Sequence, residues 1–208
     1  MPRIEAATVA EHRALRERQV VEAAADLLTS AGAAAVTPAA VAARTGLARS
    51  SVYQYADSAA ALVGVAMEEL FERTDRAIAS ALAVTGDDPG RRLDAIVRTV
   101  LEGASTGHGP HQAVDVAQLP ADHQVRLREL HALVLAALAE VISELWLAGA
   151  GPPGGDRSIE DSVTDARTMA TLVWGVINGA VPLLEQGQPV GRVVGLVSDF
   201  VHGGLTVR

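Results

Sequence analysis

Apolar residues recur at three- and four-residue steps along most of the chain, and no stretch shows the strict alternation that is typical of a strand. The clearest repeat runs from about 121 to 148. Its apolar positions are Leu127, Leu130, Val134, Leu138, Val141 and Leu145. Steps of this size place side chains on one face of an α-helix. The pattern therefore predicts an all-α protein.

Nine helices are predicted once the breaks between these repeats are included. Glycine, proline and aspartate cluster at 86–90 and 149–156, and 105–110 is rich in glycine, so these stretches are predicted to be connections. The predicted helices cover residues 16–31, 38–45, 49–56, 58–84, 91–104, 111–118, 121–148, 159–186 and 190–203.

The stretch VTPAAVAARTGLARSSVYQYADSAAAL at 36–62 predicts two short helices joined by a tight turn. Thr37 can cap the first helix, because its hydroxyl can accept a hydrogen bond from a free backbone amide. Pro38 follows at a position where a missing N–H has no cost, and Gly46 can adopt the positive φ that ends the helix. This arrangement is a helix-turn-helix motif, which presents its second helix to the major groove of DNA.

The sequence TPAAVAARTGLARSSVYQY at 37–55, with RQVVEAAADLLTSAG before it, resembles the DNA-binding domain of the TetR family of bacterial regulators. The similarity covers roughly residues 12–63, and beyond that it is limited to the number and length of the helices. The resemblance implies a three-helix DNA-binding domain at 1–57 and a larger helical ligand-binding and dimerisation domain at 58–208. It also implies that the protein has no catalytic activity.

The chemistry of the second motif helix suits contact with DNA. The small side chains of Ser50 and Ser51 allow a helix end to approach closely, and their hydroxyls can bond phosphate oxygens. Arg49 can reach a phosphate or a guanine edge, and Gln54 can contact an adenine or the DNA backbone.

The resemblance implies that Thr37, Ser51, Tyr53 and Tyr55 touch phosphates or lie beside the groove, and Arg44 is a further candidate for a backbone contact. The alternative is that the two tyrosines only pack within a small helical domain. The predicted DNA-contacting residues are Thr37, Arg44, Arg49, Ser50, Ser51, Tyr53, Gln54 and Tyr55.

Three alanines depart from the TetR pattern, which usually has a serine at Ala48, a bulky aromatic residue at Ala56 and a basic residue at or near Ala59. A lost helix cap costs about 1 kcal/mol, and a lost core ring costs about 3 kcal/mol if nothing fills the gap. A lost phosphate contact reduces the slope of the logarithm of the DNA-binding constant against the logarithm of the salt concentration by about 0.9. The DNA-binding unit is therefore expected to be less stable, or to bind more weakly, than its relatives.

The net charge of −8 argues against nucleic-acid binding until its distribution is considered. Residues 1–58 contain six arginines and six acidic residues, so the excess acid belongs to 59–208. Between residues 27 and 56 the charged residues are Arg44 and Arg49, with no acidic residue. The acidity is therefore away from the predicted DNA surface.

Cysteine is absent, which excludes disulfides, thiolate metal sites and thiol catalysis. The N-terminus has no apolar signal segment, so a cytoplasmic location is expected. One of the two longest uncharged runs is Thr168 to Leu184, 17 residues that include polar side chains. Because a membrane span needs about 20 mostly apolar residues, we predict a buried helix and no membrane association.

The predicted helix 159–186 is apolar on nearly all sides from Met169 onward, so it needs cover on every side. Gly175 and Gly179 lie four residues apart and would permit a close backbone approach. A homodimer formed through about residues 159–205 is predicted, and the alternative is packing against another helix of the same chain. Pro182 is expected to bend or end the helix.

Phe71, His131, Trp174 and Asn178 are candidates for a ligand pocket, since aromatic rings with a few polar groups suit small organic molecules. Plain core or surface positions are the alternative for each. A metal site formed by His108, His111 and Asp115 lacks a recognised ligand spacing, so no metal and no cofactor is predicted. The adjacent acids at 68–69 and 87–88 are interpreted as solvated charges.

These features, together with the resemblance, predict a dimeric, ligand-responsive transcriptional regulator that a small apolar ligand releases from a palindromic double-stranded DNA operator. That the regulator is a repressor rather than an activator is implied by the resemblance alone. The rival interpretation is an all-α small-molecule-binding protein or enzyme whose N-terminal helices have no DNA role. A third possibility is a helical scaffold that binds no ligand.

Overall fold

The structure is a computed structural model that describes residues 9–106, 114–150 and 159–206, with side chains for 11–106, 114–148 and 164–205. Every regular element in these ranges is helical, which confirms the predicted all-α class. The helices are α1 (Val9–Ala31), α2 (Pro38–Thr45), α3 (Arg49–Val52), α4 (Ala59–Thr85), α5 (Pro89–Ser105), α6 (Ala121–Leu145), α7 (Ile159–Glu185) and α8 (Val190–Thr206).

Short turns complete the described chain. A 3₁₀ turn (Ala33–Ala35) follows α1, a second one (Val116–Gln118) precedes α6, and a π-helical turn (Trp146–Ala150) ends α6. The predicted helix at 111–118 is therefore wrong in its described part, which is only the 3₁₀ turn, and residues 111–113 lie outside the described residues.

The predicted helix at 49–56 is also too long, because α3 ends at Val52. The amide of Gln54 bonds to the carbonyl of Ser51 and that of Tyr55 to Val52, at 3.1 and 3.0 Å. These bonds span three residues rather than four, so the chain tightens into turns. The segment 53–56 continues to coil but is not α-helical.

The chain divides into two compact units. The first unit comprises the described residues 9–69 and 114–126. Within it α1 packs against α2, and α2 packs against α3. Its fully buried side chains are aliphatic and come from all four N-terminal helices, and they include Leu28, Val41, Val52 and Leu62.

The second unit comprises the described residues 70–106, 127–150 and 159–206. Helices α5, α7 and α8 pack against one another, and α6 adds Leu138 and Ile142 to the same apolar core. Helix α7 continues past Pro182 to Glu185, so this proline does not end the helix.

Two helices are long and apolar enough to cross a membrane by length and composition alone, at Ala121–Ala148 and Thr164–Glu185. Both supply buried side chains to the core of the second unit, for example Val134 from α6 and Ile177 from α7. Core helices pass the same test as spanning helices, and we assign these two to the core.

Candidate functional site

The helix-turn-helix forms through the local signals that the sequence predicts. Thr37 has extended backbone angles (φ −122°, ψ 152°), and its Oγ1 accepts a hydrogen bond from the amide of Ala40 at 3.2 Å. Pro38 is the first residue of α2, and Gly46 ends it in the left-handed conformation (φ 69°, ψ 15°). The predicted cap and stop are confirmed, and they set the turn that leads into α3.

Helix α3 begins without a side-chain cap. Ala48 occupies the N-cap position with suitable extended angles (φ −66°, ψ 142°), but its methyl group cannot accept a hydrogen bond. The carbonyl of Ala48 still accepts from the amide of Ser51 at 2.8 Å. The backbone alone therefore starts this helix.

The segment 49–56 has a buried side and a solvent side. Val52 and Ala56 are buried in the first unit. The predicted DNA-contacting residues lie mostly toward solvent, with Tyr53 at 43% exposure. Arg44, Arg49, Ser50, Tyr53 and Gln54 are exposed, and Thr37, Ser51 and Tyr55 are partly buried.

The exposed side of the helix-turn-helix carries two arginines, Arg44 in α2 and Arg49 in α3. Neither Arg44 nor Arg49 forms an ion pair with another described residue, and no acidic residue occurs between 27 and 56. Both guanidinium groups are therefore available to an anionic partner such as a phosphate.

Three of the four predicted ligand-site residues lie together in the second unit. The ring of His131 lies between those of Phe71 and Trp174, with centroid separations of 6.1 and 5.7 Å and tilted planes. The side chain of Asn178 instead bonds to its own helix, where Nδ2 donates to the carbonyl of Trp174 at 2.8 Å.

His131 combines burial with an unused hydrogen-bonding atom. Its Nε2 is buried and has no partner among the described residues, and burial lowers the pKa of the ring below its usual 6.5. A neutral imidazole can either donate or accept a hydrogen bond. The Trp146 indole N–H, which the sequence analysis did not identify, is also buried without such a partner.

An open groove of about 340 Å³ also lies in the second unit, between α6 and α7. Ala132, Leu135 and Ala136 form its α6 side, while Arg167 and Thr171 form its α7 side. The groove is mostly apolar and has one positive charge at its edge.

The interpretation of Glu68 as a solvated charge is wrong. Its carboxylate lies 2.6 Å from Nδ1 of His123, and the two side chains are only 20% and 14% exposed. Asp88 is exposed but also has a structural role, since its Oδ1 accepts from the amide of Arg91 at 2.8 Å and caps α5. Sequence spacing could not reveal the first pair, because 55 residues separate its members.

The remaining metal candidates do not assemble among the described residues, where no three His, Asp or Glu side chains form a cluster that could hold an ion. Asp115 caps the 3₁₀ turn before α6 by accepting from the amide of Ala117 at 3.1 Å. His108 and His111 lie outside the described residues.

Helices α7 and α8 have large exposed apolar side chains, including Leu172 (59% exposed) and Phe200 (67% exposed). At Gly175 and Gly179 no atom of the described chain, outside the neighbouring turns of α7, lies within 4 Å of the place where a Cβ would stand. The idea that these glycines fit against another helix of the same chain is therefore wrong within the described residues.

Comparison with solved structures identifies the fold. The chain matches a TetR-like transcriptional regulator from Rhodococcus sp. RHA1 at a TM-score of 0.65 and 18% identity, over 94% of this chain and 98% of that one. It matches FadR from Bacillus subtilis in complex with stearoyl-CoA at a TM-score of 0.69 and 14% identity, over 88% and 96% of the two chains.

A third match is AibR in complex with isovaleryl coenzyme A and operator DNA, at a TM-score of 0.66 and 16% identity, over 88% and 96% of the two chains. No protein-family model and no curated protein matches the sequence. The chain therefore has the fold of TetR-like transcriptional regulators, at low sequence identity to them.

The lowered pKa of His131 predicts acid sensitivity. The folded protein disfavours the protonated ring of His131. At pH values between the lowered pKa of His131 in the folded state and its usual pKa of 6.5, the unfolded chain therefore binds more protons than the folded one. Stability should fall as the pH decreases through this window. We expect His131→Gln to reduce the loss of Tm between about pH 7.5 and about pH 5.5, as measured by calorimetry.

His12→Gln is the matched control, since His12 is an exposed histidine on α1. Equal Tm losses in the wild type and in His131→Gln would contradict this prediction.

Proposed function

We propose that this protein is a dimeric DNA-binding transcriptional repressor that an acyl-CoA-type ligand releases from its operator. The observation that carries the proposal is the solvent-facing, acid-free segment at 49–54, in a chain with the fold of TetR-like regulators. The proposal assigns binding rather than catalysis to the protein, which works in the cytoplasm.

In the proposed complex, residues 49–55 enter the major groove. Arg49 contacts a guanine edge or a phosphate, and Gln54 contacts a base or the DNA backbone. The hydroxyls and rings at the edge of the segment position it against phosphates. The proposed DNA-contacting residues are Thr37, Arg44, Arg49, Ser50, Ser51, Tyr53, Gln54 and Tyr55.

Two copies are needed because one short helix reads only a few base pairs. The exposed apolar side chains of α7 and α8, with the open glycines between them, support a dimer through residues 159–205. An interface of this kind contains a two-fold axis, so the two reading segments match a palindromic site with half-sites about one helical turn, or a multiple of it, apart.

The ligand is proposed to bind in the second unit, by the rings of Phe71, His131 and Trp174. Two matched proteins are described in complex with stearoyl-CoA and isovaleryl coenzyme A, and an aliphatic core suits an acyl chain. Arg167 at the α6–α7 groove could pair with an anionic group of the same class of ligand. The ligand must favour a conformation that binds DNA poorly.

DNA binding is tested by selecting fragments from genomic DNA with purified protein and measuring affinity for the recovered fragment. We expect Arg49→Ala to weaken binding about tenfold, since one good arginine contact contributes about 1–3 kcal/mol. Tyr53→Ala should weaken it as well. Electrophoretic shift or fluorescence anisotropy at fixed salt provides the measurement.

Arg128→Ala serves as the control, because Arg128 is an exposed arginine in α6 with the same charge. If the protein recovers no fragment, or binds it equally after both motif substitutions, the all-α binding protein without a DNA role is the better interpretation.

The dimer predicts that a charge on the exposed face of α8 separates the copies. Phe200→Glu should convert a dimer to a monomer in sedimentation equilibrium, since an unpaired charge would otherwise be buried at the interface. The matched control is Val84→Glu, which places the same charge on an exposed apolar position of α4. A wild-type monomer, or dissociation by both variants, would refute the proposed interface.

Ligand binding is tested with stearoyl-CoA and isovaleryl-CoA as probes and free CoA as the control. At about 100 times its Kd a ligand adds about 2.7 kcal/mol of stability, so Tm should rise by several degrees. The same concentration should release the DNA fragment, and Trp174→Ala should reduce both effects. A Tm that no acyl-CoA raises would exclude this ligand class.

A further inference from the structure

The segment 115–124 belongs to the compact unit that contains the helix-turn-helix, although it follows that motif by more than fifty residues. It is held together by its own side chains. Besides the Asp115 cap, Nε2 of Gln124 donates to the carbonyl of Leu119 at 2.8 Å. Leu119 itself is buried. The segment is therefore a defined piece of structure at the start of α6.

His123 joins this segment to α4 by two independent features. Its ring occupies the place where a side chain at residue 64 would stand, because a Cβ on Gly64 would lie 2.5 Å from Cγ of His123. One turn further along α4, Oε1 of Glu68 lies 2.6 Å from Nδ1 of the same ring. An ionised carboxylate can only accept, so Nδ1 is the donor.

The backbone conformation at Gly64 does not require a glycine. Glycine inside a helix is destabilising relative to alanine, and Gly64 has a helical conformation with no positive φ. What the missing side chain provides is the space for the imidazole. The His123 contact, defined as His123 with Gly64 and Glu68, therefore sets how closely the 115–124 segment approaches α4.

The contact lies on the part of α4 that follows the proposed reading segment. Ala56 is buried, and α4 starts at Ala59 after Ser58, whose Oγ accepts from the amide of Ala61 at 3.1 Å. Gly64 lies about 8 Å along the helix from Ala59. Only residues 57 and 58 separate the buried Ala56 from the first residue of α4, so the start of α4 is linked to residues 49–56 through a very short connection.

We propose that His123 is a positioning residue for DNA binding: its contact with Gly64 and Glu68 fixes the first turns of α4, and with them the proposed reading segment. This inference rests on the proposed DNA-binding function. It adds a role for a residue that lies outside the helix-turn-helix.

Gly64→Ala tests the inference directly, because the new methyl group forces the ring away. We expect an affinity for the genomic fragment selected by the wild type about tenfold weaker, the size of effect that follows when a charge-assisted hydrogen bond is lost. The matched control is Gly103→Ala in α5, where a Cβ meets no atom within 4 Å. It should bind as the wild type does.

Glu68 provides a second variant pair that adds no atom against the ring of His123. Glu68→Ala removes the acceptor and should also weaken DNA binding, whereas Glu68→Gln retains an acceptor oxygen and should restore most of the affinity. If the contact served only the stability of the fold, Glu68→Ala would lower Tm, but the DNA affinity would not follow the difference between Glu68→Ala and Glu68→Gln. All affinities are measured at a temperature at which circular dichroism shows each variant fully folded.

Hydrogen exchange separates a positioning role of His123 from a role in fold stability alone. Amides at 49–56 should exchange faster in Gly64→Ala and Glu68→Ala, and those at 93–101 in α5 should not change. A wild type that binds no DNA fragment defeats the proposed function. A wild type that binds DNA, with variants that bind equally well and exchange equally slowly at 49–56, overturns the role of His123.

Discussion

The burial of apolar helix faces with very few aromatic side chains is the constraint on which the rest of this structure depends. Hydrophobic residues make up 49% of the chain and aromatic ones only 3%. Short aliphatic side chains exclude water only when helices approach closely. In α7 one face does so, since Ala170, Val173 and Ile177 are buried in the core of the second unit. The opposite face, with Leu172 and Gly179, is not covered by the described chain.

That uncovered face connects packing to the proposed function. If a second copy covers it, the same two-fold axis relates the reading segments, and the preferred DNA acquires the symmetry of the protein. Charge is distributed in accordance with this arrangement, because the excess acid belongs to 59–208 while the exposed segment around Arg49 has none. The net charge of the whole chain is a poor guide here, since recognition depends on the local field.

The sequence predicted those parts of the fold that depend on local signals. The helix predicted at 58–84 is observed at Ala59–Thr85, and that at 159–186 is observed at Ile159–Glu185. Periodicity, caps and breakers act over a few residues, so one sequence is enough to locate them. The end of α3 was predicted less well, because apolar and polar positions do not distinguish the three-residue hydrogen bonds made by the amides of Gln54 and Tyr55 from four-residue ones.

For the candidate sites, the sequence pattern located the helix-turn-helix, but it could not give contacts between distant segments. The ring cluster around His131 was predicted only as a set of suitable residue types, and its tertiary packing places three of the four together. Glu68 looks solvated in sequence because Glu69 follows it, yet its partner comes from another segment.

Glycines inside helices show most clearly why the sequence alone was insufficient. Each one costs helix stability, but the sequence does not say whether anything approaches the backbone there, and at Gly103 no atom would lie within 4 Å of an added Cβ. At Gly64 the neighbour is a ring of the same chain, whereas Gly175 and Gly179 meet no part of the described chain. The sequence signal is the same in the two cases. Only the tertiary structure separates a glycine whose missing side chain leaves room for a ring of the same chain from one that faces open space.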